Sequence, residues 1–333
     1  MYACKLVAML RRRTFALAAA AAPIGLVSAV RGQGASRTVR LVVPFPAGGA
    51  TDLFARSLQQ KLGQALGAPL VVDNKPGAGG AIGSDLAAKS PADGATLLLA
   101  TTSTHSVGPA LATAARKLPY DTVRDFTPIA FVGTAPSLML VPTSSPARSV
   151  REWVDFARKN PGRLNYASSG NGTIVQLTAE LFKAQAGIFV THIPYKGTAL
   201  AIPDLASGKV DVLFDSLPSG LPHVRDGRLR ALGITSLARS PLAPEVPPVA
   251  DTLPGFEAVT WFGLYGPAGL PAEAVQRVNA AMNQTLADAE VRAALARLGI
   301  DPAGGTPAQF AAMVDADRTK WKRIVDERKI VSD

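Results

Sequence analysis

Pro44-Phe45-Pro46-Ala47-Gly48-Gly49-Ala50-Thr51-Asp52 stands between two different hydrophobic patterns. Before it runs Val39 to Val43, apolar except for Arg40, which reads as a buried strand. After it, Leu53, Phe54, Leu58, Leu62, Ala65 and Leu66 recur at helical spacing. The segment is therefore a strand, a tight turn and a helix N-terminus. Pro44 and Pro46 stop the strand because neither has an N–H to donate. Gly48 and Gly49 let backbone amides approach a ligand with no Cβ in the way. Thr51 or Asp52 can cap the helix. Free amides and the positive end of a helix dipole favour a small anion such as a carboxylate or phosphate. A Gly-rich turn is also ordinary punctuation in α/β proteins. Asp52 argues against a bare anion hole. Either it caps the helix facing away, or the ligand brings a donor or a bridging water.

A second stretch repeats the design. Leu164 to Ala167 is short and apolar, Ser168-Ser169-Gly170-Asn171-Gly172-Thr173 follows, and Ile174 to Ala186 reads as a helix with Leu177, Leu181 and Phe182 on one face. No acid sits in this turn, and its hydroxyls both donate and accept. Ser169 or Thr173 can equally be no more than a cap. Elsewhere strand and helix patterns alternate, which predicts α/β architecture with mostly parallel sheets. Two such loops lie at the C-terminal ends of strands, where open sheets bind ligands. Two units facing each other grip one anion from both sides, as a hinged binding protein does.

The order and number of motifs resemble the periplasmic receptors of tripartite tricarboxylate transporters, the Bug (Bordetella uptake gene) family. The blocks carrying the resemblance are Val42 to Gly49 with Thr51-Asp52, Val72 to Gly80, Leu118-Pro119-Tyr120-Asp121 with Asp125-Phe126, and Ser168 to Thr173. Ile193 to Gly197, Asp204-Leu205 with Gly208 to Asp211, and Phe214-Asp215 continue it. The resemblance implies a type II periplasmic-binding-protein fold, two α/β domains joined by crossover strands with the ligand cleft between them. It implies a small carboxylate ligand: a di- or tricarboxylate, an acidic amino acid or an aromatic acid. It also implies delivery to membrane permease subunits, with no catalytic residue, metal or cofactor. In such receptors the two loops hold carboxylate oxygens through amides, hydroxyls and water. The candidate ligand-binding residues are thus Phe45, Ala47, Gly48, Gly49, Thr51 and Asp52 in the first loop. Ser168, Gly170, Asn171, Gly172 and Thr173 follow in the second, joined by Ser103 and Asp215. Asp215, at a strand end, can accept from a ligand ammonium or hydroxyl. Three positions depart from the family pattern: Gln176 replaces a His, Ala95 an aromatic and Ser216 an Asn.

Residues 1–35 read as a signal peptide, with Lys5 and Arg11-Arg12-Arg13 before an Ala-rich apolar stretch from Thr14 to Val30. Arg12-Arg13-Thr14-Phe15 fits twin-arginine export, and an ordinary secretory signal with an extra arginine fits as well. Residues 36–137 and 262–333 are expected to form one domain and 138–261 the other. The formal charge of +10 includes five leader cations, so the mature chain stands near +5. That suits anionic solutes, and the scattered basic residues make no nucleic-acid motif. The single cysteine, Cys4, lies in the leader, which removes disulfides and thiol catalysis from the mature chain. The expected state is a periplasmic monomer.

An exported α/β hydrolase is the competing reading, and a receptor feeding a sensor kinase is another. The first lacks a Gly-x-Ser-x-Gly elbow, and His105, His192 and His223 are scattered without partner acids. Thr96 to Ala100 is a strand ending in Thr101 to His105, hydroxyl-rich and directed at the cleft. His105 is read as an exposed loop residue rather than an anion donor, and His192 as a core or edge residue. Ile129 to Val141 and Val259 to Tyr265 are the expected crossovers. Ser149 caps a helix to Arg158, Pro271 to Leu298 is helical with a break near Ala287-Asp288, and Pro307 to Lys329 is the last helix.

Overall fold

The computed structural model describes residues 38–111 and 117–330; the expected leader, with Cys4, lies outside the described residues. In chain order the strands are β1 (Val39–Val43), β2 (Leu70–Asn74), β3 (Thr96–Thr101), β4 (Phe126–Pro142) and β5 (Asn165–Ser168). They continue with β6 (Thr191–Pro194), β7 (Val212–Ser216), β8 (Leu229–Ile234), β9 (Val259–Pro267) and β10 (Asp301–Pro302). The helices are α1 (Ala50–Leu66), α2 (Ala81–Ala88), α3 (Gly108–Ala110), α4 (Val150–Lys159) and α5 (Ile174–Ala186). Then come α6 (Thr198–Ala206), α7 (Leu217–Arg225), α8 (Ala272–Ala287), α9 (Ala289–Leu298) and α10 (Pro307–Arg328). No described helix is long and apolar enough to cross a membrane.

One curled sheet runs β2-β1-β3-β9-β4-β7-β5-β6, with β8 and β10 also paired to β4. Parallel pairing was expected to dominate. It holds for β1 with β2 and β3, and for β5 with β6 and β7. Every antiparallel pairing among the described strands involves β4 or β9. These two long strands cross between the halves, and a returning strand must run against its neighbours. β4 pairs with β9 through Pro136, then with β7 and β8 from Ser137 or Leu138 onward. Thr235 pins this change of partner: its hydroxyl accepts from the Ser137 amide at 2.8 Å and donates to the Ala258 carbonyl. The result is a type II periplasmic-binding-protein fold.

Each half has its own core. Phe54, Leu58 and Leu62, spaced to one face of α1, pack on Leu97, Leu99 and Phe262. Trp153, Tyr166, Phe182, Phe214 and Phe256 fill the other half. Burying such side chains contributes about 1.5–3 kcal/mol each. The last helix spans both: Phe310 and Val314 pack beside β3 and β9, whereas Trp321 and Val325 join the core of the second half.

Local signals explain most boundaries. Ser149 accepts from the Glu152 amide and starts α4. The break near Ala287-Asp288 is Asp288 capping α9 through the Glu290 and Val291 amides. Thr306 and Gln309 close a capping box on α10. α2 begins at Ala81, directly after the Gly-rich turn. One expectation needs correction. The helix placed from Leu53 begins at Ala50, with Gly49 at its N-cap, so neither Thr51 nor Asp52 caps it.

Candidate functional site

The strand ends of β1 and β5 carry the two Gly-rich loops, and both loops prove to be built to one plan. Gly48, at φ +81°, precedes the N-cap of α1, and Gly172, at φ +74°, precedes the N-cap of α5. Such left-handed backbone favours glycine. Each glycine amide donates four residues ahead, Gly48 to Asp52 Oδ2 at 2.9 Å and Gly172 to Gln176 Oε1 at 2.6 Å. Glu152 does the same for the Arg148 amide at α4, away from any cleft, so the device is a helix start and not itself a binding site. It follows that the Gly48 and Gly172 amides are already engaged.

Asp52 is almost fully buried and also accepts from Arg56 Nε at 2.9 Å and Asn74 Nδ2 at 3.0 Å. Burial opposes its charge, but the bonds from Arg56, Gly48 and Asn74 hold its carboxyl below the usual carboxylate range. It is an internal anion with its own partners. In the second loop, Thr173 caps α5 through the Gln176 amide and donates to the Gly170 carbonyl. Ser168 Oγ accepts from the Gly170 amide and lies 2.6 Å from His192 Nε2. His192 stacks on Tyr166 from the edge strand β6, the second of the core or edge roles expected of it.

Between the loops lies a cleft of about 510 Å³, counting the solvent space at its mouth. Of the candidate residues, Phe45, Gly49, Thr51, Ser103 and Asp215 line it. Gly170 and Asn171 instead face an adjoining cavity bounded by Gly77 to Gly80, Tyr195 and Lys196. Ala47, Gly48, Asp52, Ser168, Gly172 and Thr173 are not in the cleft lining: Ala47 and Gly48 are exposed in the turn, and the other four are buried in the framework of the turns. Gln176 is likewise buried away from the cleft, whereas Ser216 lines it.

The sequence reading missed Ala50, Ile174, Val175, Thr198 and Ala199 among the lining residues. Ala50 with Thr51, Ile174 with Val175, and Thr198 with Ala199 are the first turns of α1, α5 and α6. First-turn amides have no acceptor inside their own helix. Three positive helix ends therefore reach one cavity, and its lining contains no Lys, Arg or His. The α6 start was detectable, since Tyr195-Lys196-Gly197-Thr198 after β6 repeats the strand, glycine, helix logic. Phe45, Phe262, Ile174 and Val175 supply apolar wall.

The halves touch across the cleft. Ser103 Oγ accepts from the Ile174 amide at 3.0 Å. A Cβ on Gly197 would fall 2.6 Å from Pro46 Cγ, and one on Gly79 would fall 2.5 Å from the Asn171 carbonyl oxygen. No real side chain sits at such distances, so these glycines let the two sides meet.

Asp215 is the one ionisable side chain of the lining. It is 2% exposed. Burial pushes its carboxyl up to about 6, against bonds from Thr198, the Ser219 hydroxyl and the Ser216 amide. His105 corrects another expectation: it is fully buried, not in an exposed loop. The segment Ser103–Val107 coils helically and turns it into an aromatic box, 4.3 Å from Tyr265 and 4.7 Å from Phe126 between ring centres. Burial, assisted by Arg318, lowers its pKa to about 3, which keeps it neutral at physiological pH. Among the described residues no group of His, Cys, Asp and Glu could hold a metal ion.

Comparison with known proteins bears on this geometry. The sequence model of the tripartite tricarboxylate transporter family receptor matches residues 54–330. Protein BugT of Bordetella pertussis is 36% identical over 294 residues, covering 88% of this chain and 89% of BugT. The structure of R. palustris Rpa4515 with adipate superposes with TM-score 0.85 at 35% identity, over 89% of this chain and 98% of that one. MatC from Rhodopseudomonas palustris with bound malate gives TM-score 0.82 at 32% identity, over 87% and 99%.

Proposed function

Because the chain belongs to the tripartite tricarboxylate transporter receptor family, we propose that it captures a small carboxylate between its two Gly-rich loops and delivers it to membrane permease subunits. The family and its structural neighbours are solute-binding proteins and not enzymes. The observation that carries the reading is the meeting of the α1 and α5 first turns, one from each half, in a cavity without a cationic side chain. Such a site holds an anion by amide dipoles rather than by a salt bridge. Adipate and malate, bound in the two relatives, are small carboxylates. The direct contacts are assigned to Thr51, Ser103 and the first-turn amides, with Gly48, Asp52, Gly172 and Thr173 fixing the turns. Residues 36–137 with 262–333 form one lobe and 138–261 the other, and the protein works as an exported, periplasmic monomer.

A thermal-shift panel of small carboxylates tests this. A ligand at about a hundred times its dissociation constant adds roughly 2.7 kcal/mol of stability. Stabilisation by one or more carboxylates, and not by matched amides or alcohols, is expected. Equal response to the neutral analogues would contradict the proposal.

A further inference from the structure

Asp215 lines the same cavity as the first turns of α1 and α5. Ala167 of β5 pairs with Leu213 of β7 in parallel, so Asp215 lies one strand over and level with Ser169, at the mouth of the second loop. Neighbouring strands are about 4.8 Å apart. An ionised carboxylate offers about four acceptor positions. Thr198, the Ser219 hydroxyl and the Ser216 amide occupy three of them. The side chain nevertheless lines the cavity, which leaves acceptor capacity facing the ligand. No Lys, Arg or His of the lining offsets it. One wall of the cleft thus attracts an anion through helix ends, while this position repels a second one. Phe45, Phe262, Ile174 and Val175 add apolar wall, and the lining hydroxyls of Thr101, Ser169, Ser216 and Thr260 bring no positive charge to balance a second carboxylate beside Asp215.

We propose that Asp215 is a specificity-determining residue that selects carboxylates carrying a hydrogen-bond donor, a hydroxyl or an ammonium, over plain mono- and dicarboxylates. This rests on the carboxylate-receptor reading and narrows it. The donor hydrogen-bonds to Asp215, the carboxylate faces the first turns of α1 and α5, and an apolar body fills the space between. A hydrogen bond to a charged group is worth roughly tenfold to hundredfold in affinity.

The test is calorimetric titration of the protein purified from the periplasm against matched acids on two skeletons. The four-carbon set is butyrate, 3-hydroxybutyrate, 3-aminobutyrate and succinate. The phenyl set is 3-phenylpropionate, phenyllactate and phenylalanine. In at least one set the donor-bearing acids should bind about tenfold or more tightly than the plain ones. Asp215→Asn should narrow that gap to below about threefold and strengthen succinate, with the ammonium ligand losing most because the charge attraction goes too. The ranking in the unaltered protein needs no variant and stands even if Asp215→Asn folds poorly. Plain acids binding as tightly as their donor-bearing partners, or Asp215→Asn weakening all ligands equally, would overturn the role of Asp215 and leave the receptor reading intact. Failure of every acid to bind the folded protein would overturn both.

Discussion

The loop into α1 and the loop into α5 share a plan and differ in what fills its third helical position. In the first, buried Asp52 takes the Gly48 amide, and Arg56 and Asn74 balance its charge. In the second, neutral Gln176 takes the Gly172 amide, with Thr173 as cap and His192 beside it. The first loop therefore carries a resident anion and the second carries none. Both glycine amides are consumed in either case. What is left for a ligand is the first turn of each helix, and on the second side the Ile174 amide is already given to Ser103. The glycines shape the turns so that these ends face each other.

Substituting the glycines would break the shared plan outright. Gly48→Val or Gly172→Val should lower carboxylate affinity by more than about a hundredfold, because a β-branched residue at positive φ costs roughly 1–3 kcal/mol locally and forces the turn to rearrange. The cause is backbone strain and not a blocked ligand path, since a Cβ on Gly48 meets nothing within 4 Å. Titration of both variants showing undiminished affinity would break the two-loop account.

A pH series separates the ligand's anion wall from Asp215. Its carboxyl stands at about 6 when folded, against 3.8 as the ordinary value. The folded state then holds the proton longer than the unfolded state. The linked stability is fully present below about pH 4 and is lost as pH rises to about 6, at most about 3 kcal/mol. Melting of the ligand-free protein should show this fall, and Asp215→Asn should flatten it. An unchanged slope in the variant would remove Asp215 as the cause.

The closing contacts sharpen the comparison further. Gly79→Ala places a Cβ where the Asn171 carbonyl now sits, and Gly197→Ala meets Pro46. Each should weaken ligand binding about tenfold by holding the halves apart, roughly 1.4 kcal/mol. X-ray scattering of the liganded variants should give a larger radius than the unaltered protein; an identical radius and affinity would discount these contacts.

The smallest expected effect comes from making the first loop more like the second. Asp52→Asn keeps an acceptor for Gly48 but loses the ion pair to half-exposed Arg56. Denaturant unfolding should show a loss of about 1 kcal/mol, with carboxylate affinity changed less than about threefold. A large loss of affinity would mean that Asp52 itself contacts the ligand.

The strand, glycine turn and helix at Val39 to Leu66 was legible because local signals coincide: an apolar run, proline stops, a glycine pair and apolar residues at helical spacing. The capped helix α4 and the break before α9 were legible from local signals too, at Ser149 and Ala287-Asp288. The antiparallel character of the crossovers was not, since strand direction depends on where β4 and β9 run between halves. Within the site, residue types marked the loops but not which atoms remained free. That required seeing Asp52 and Gln176 turn back onto their own glycines. His105 was misread because a local hydroxyl-rich sequence says nothing of the aromatic residues, Tyr120, Phe126 and Tyr265, that come from elsewhere to enclose it.

The measurement closest to the central claim is a crystal structure with a carboxylate chosen from the thermal-shift panel. The account predicts one carboxylate group with its oxygens about 3 Å from first-turn amides or hydroxyls of both α1 and α5, directly or through one water. A carboxylate contacting one loop only, or bound outside the cleft, would contradict it.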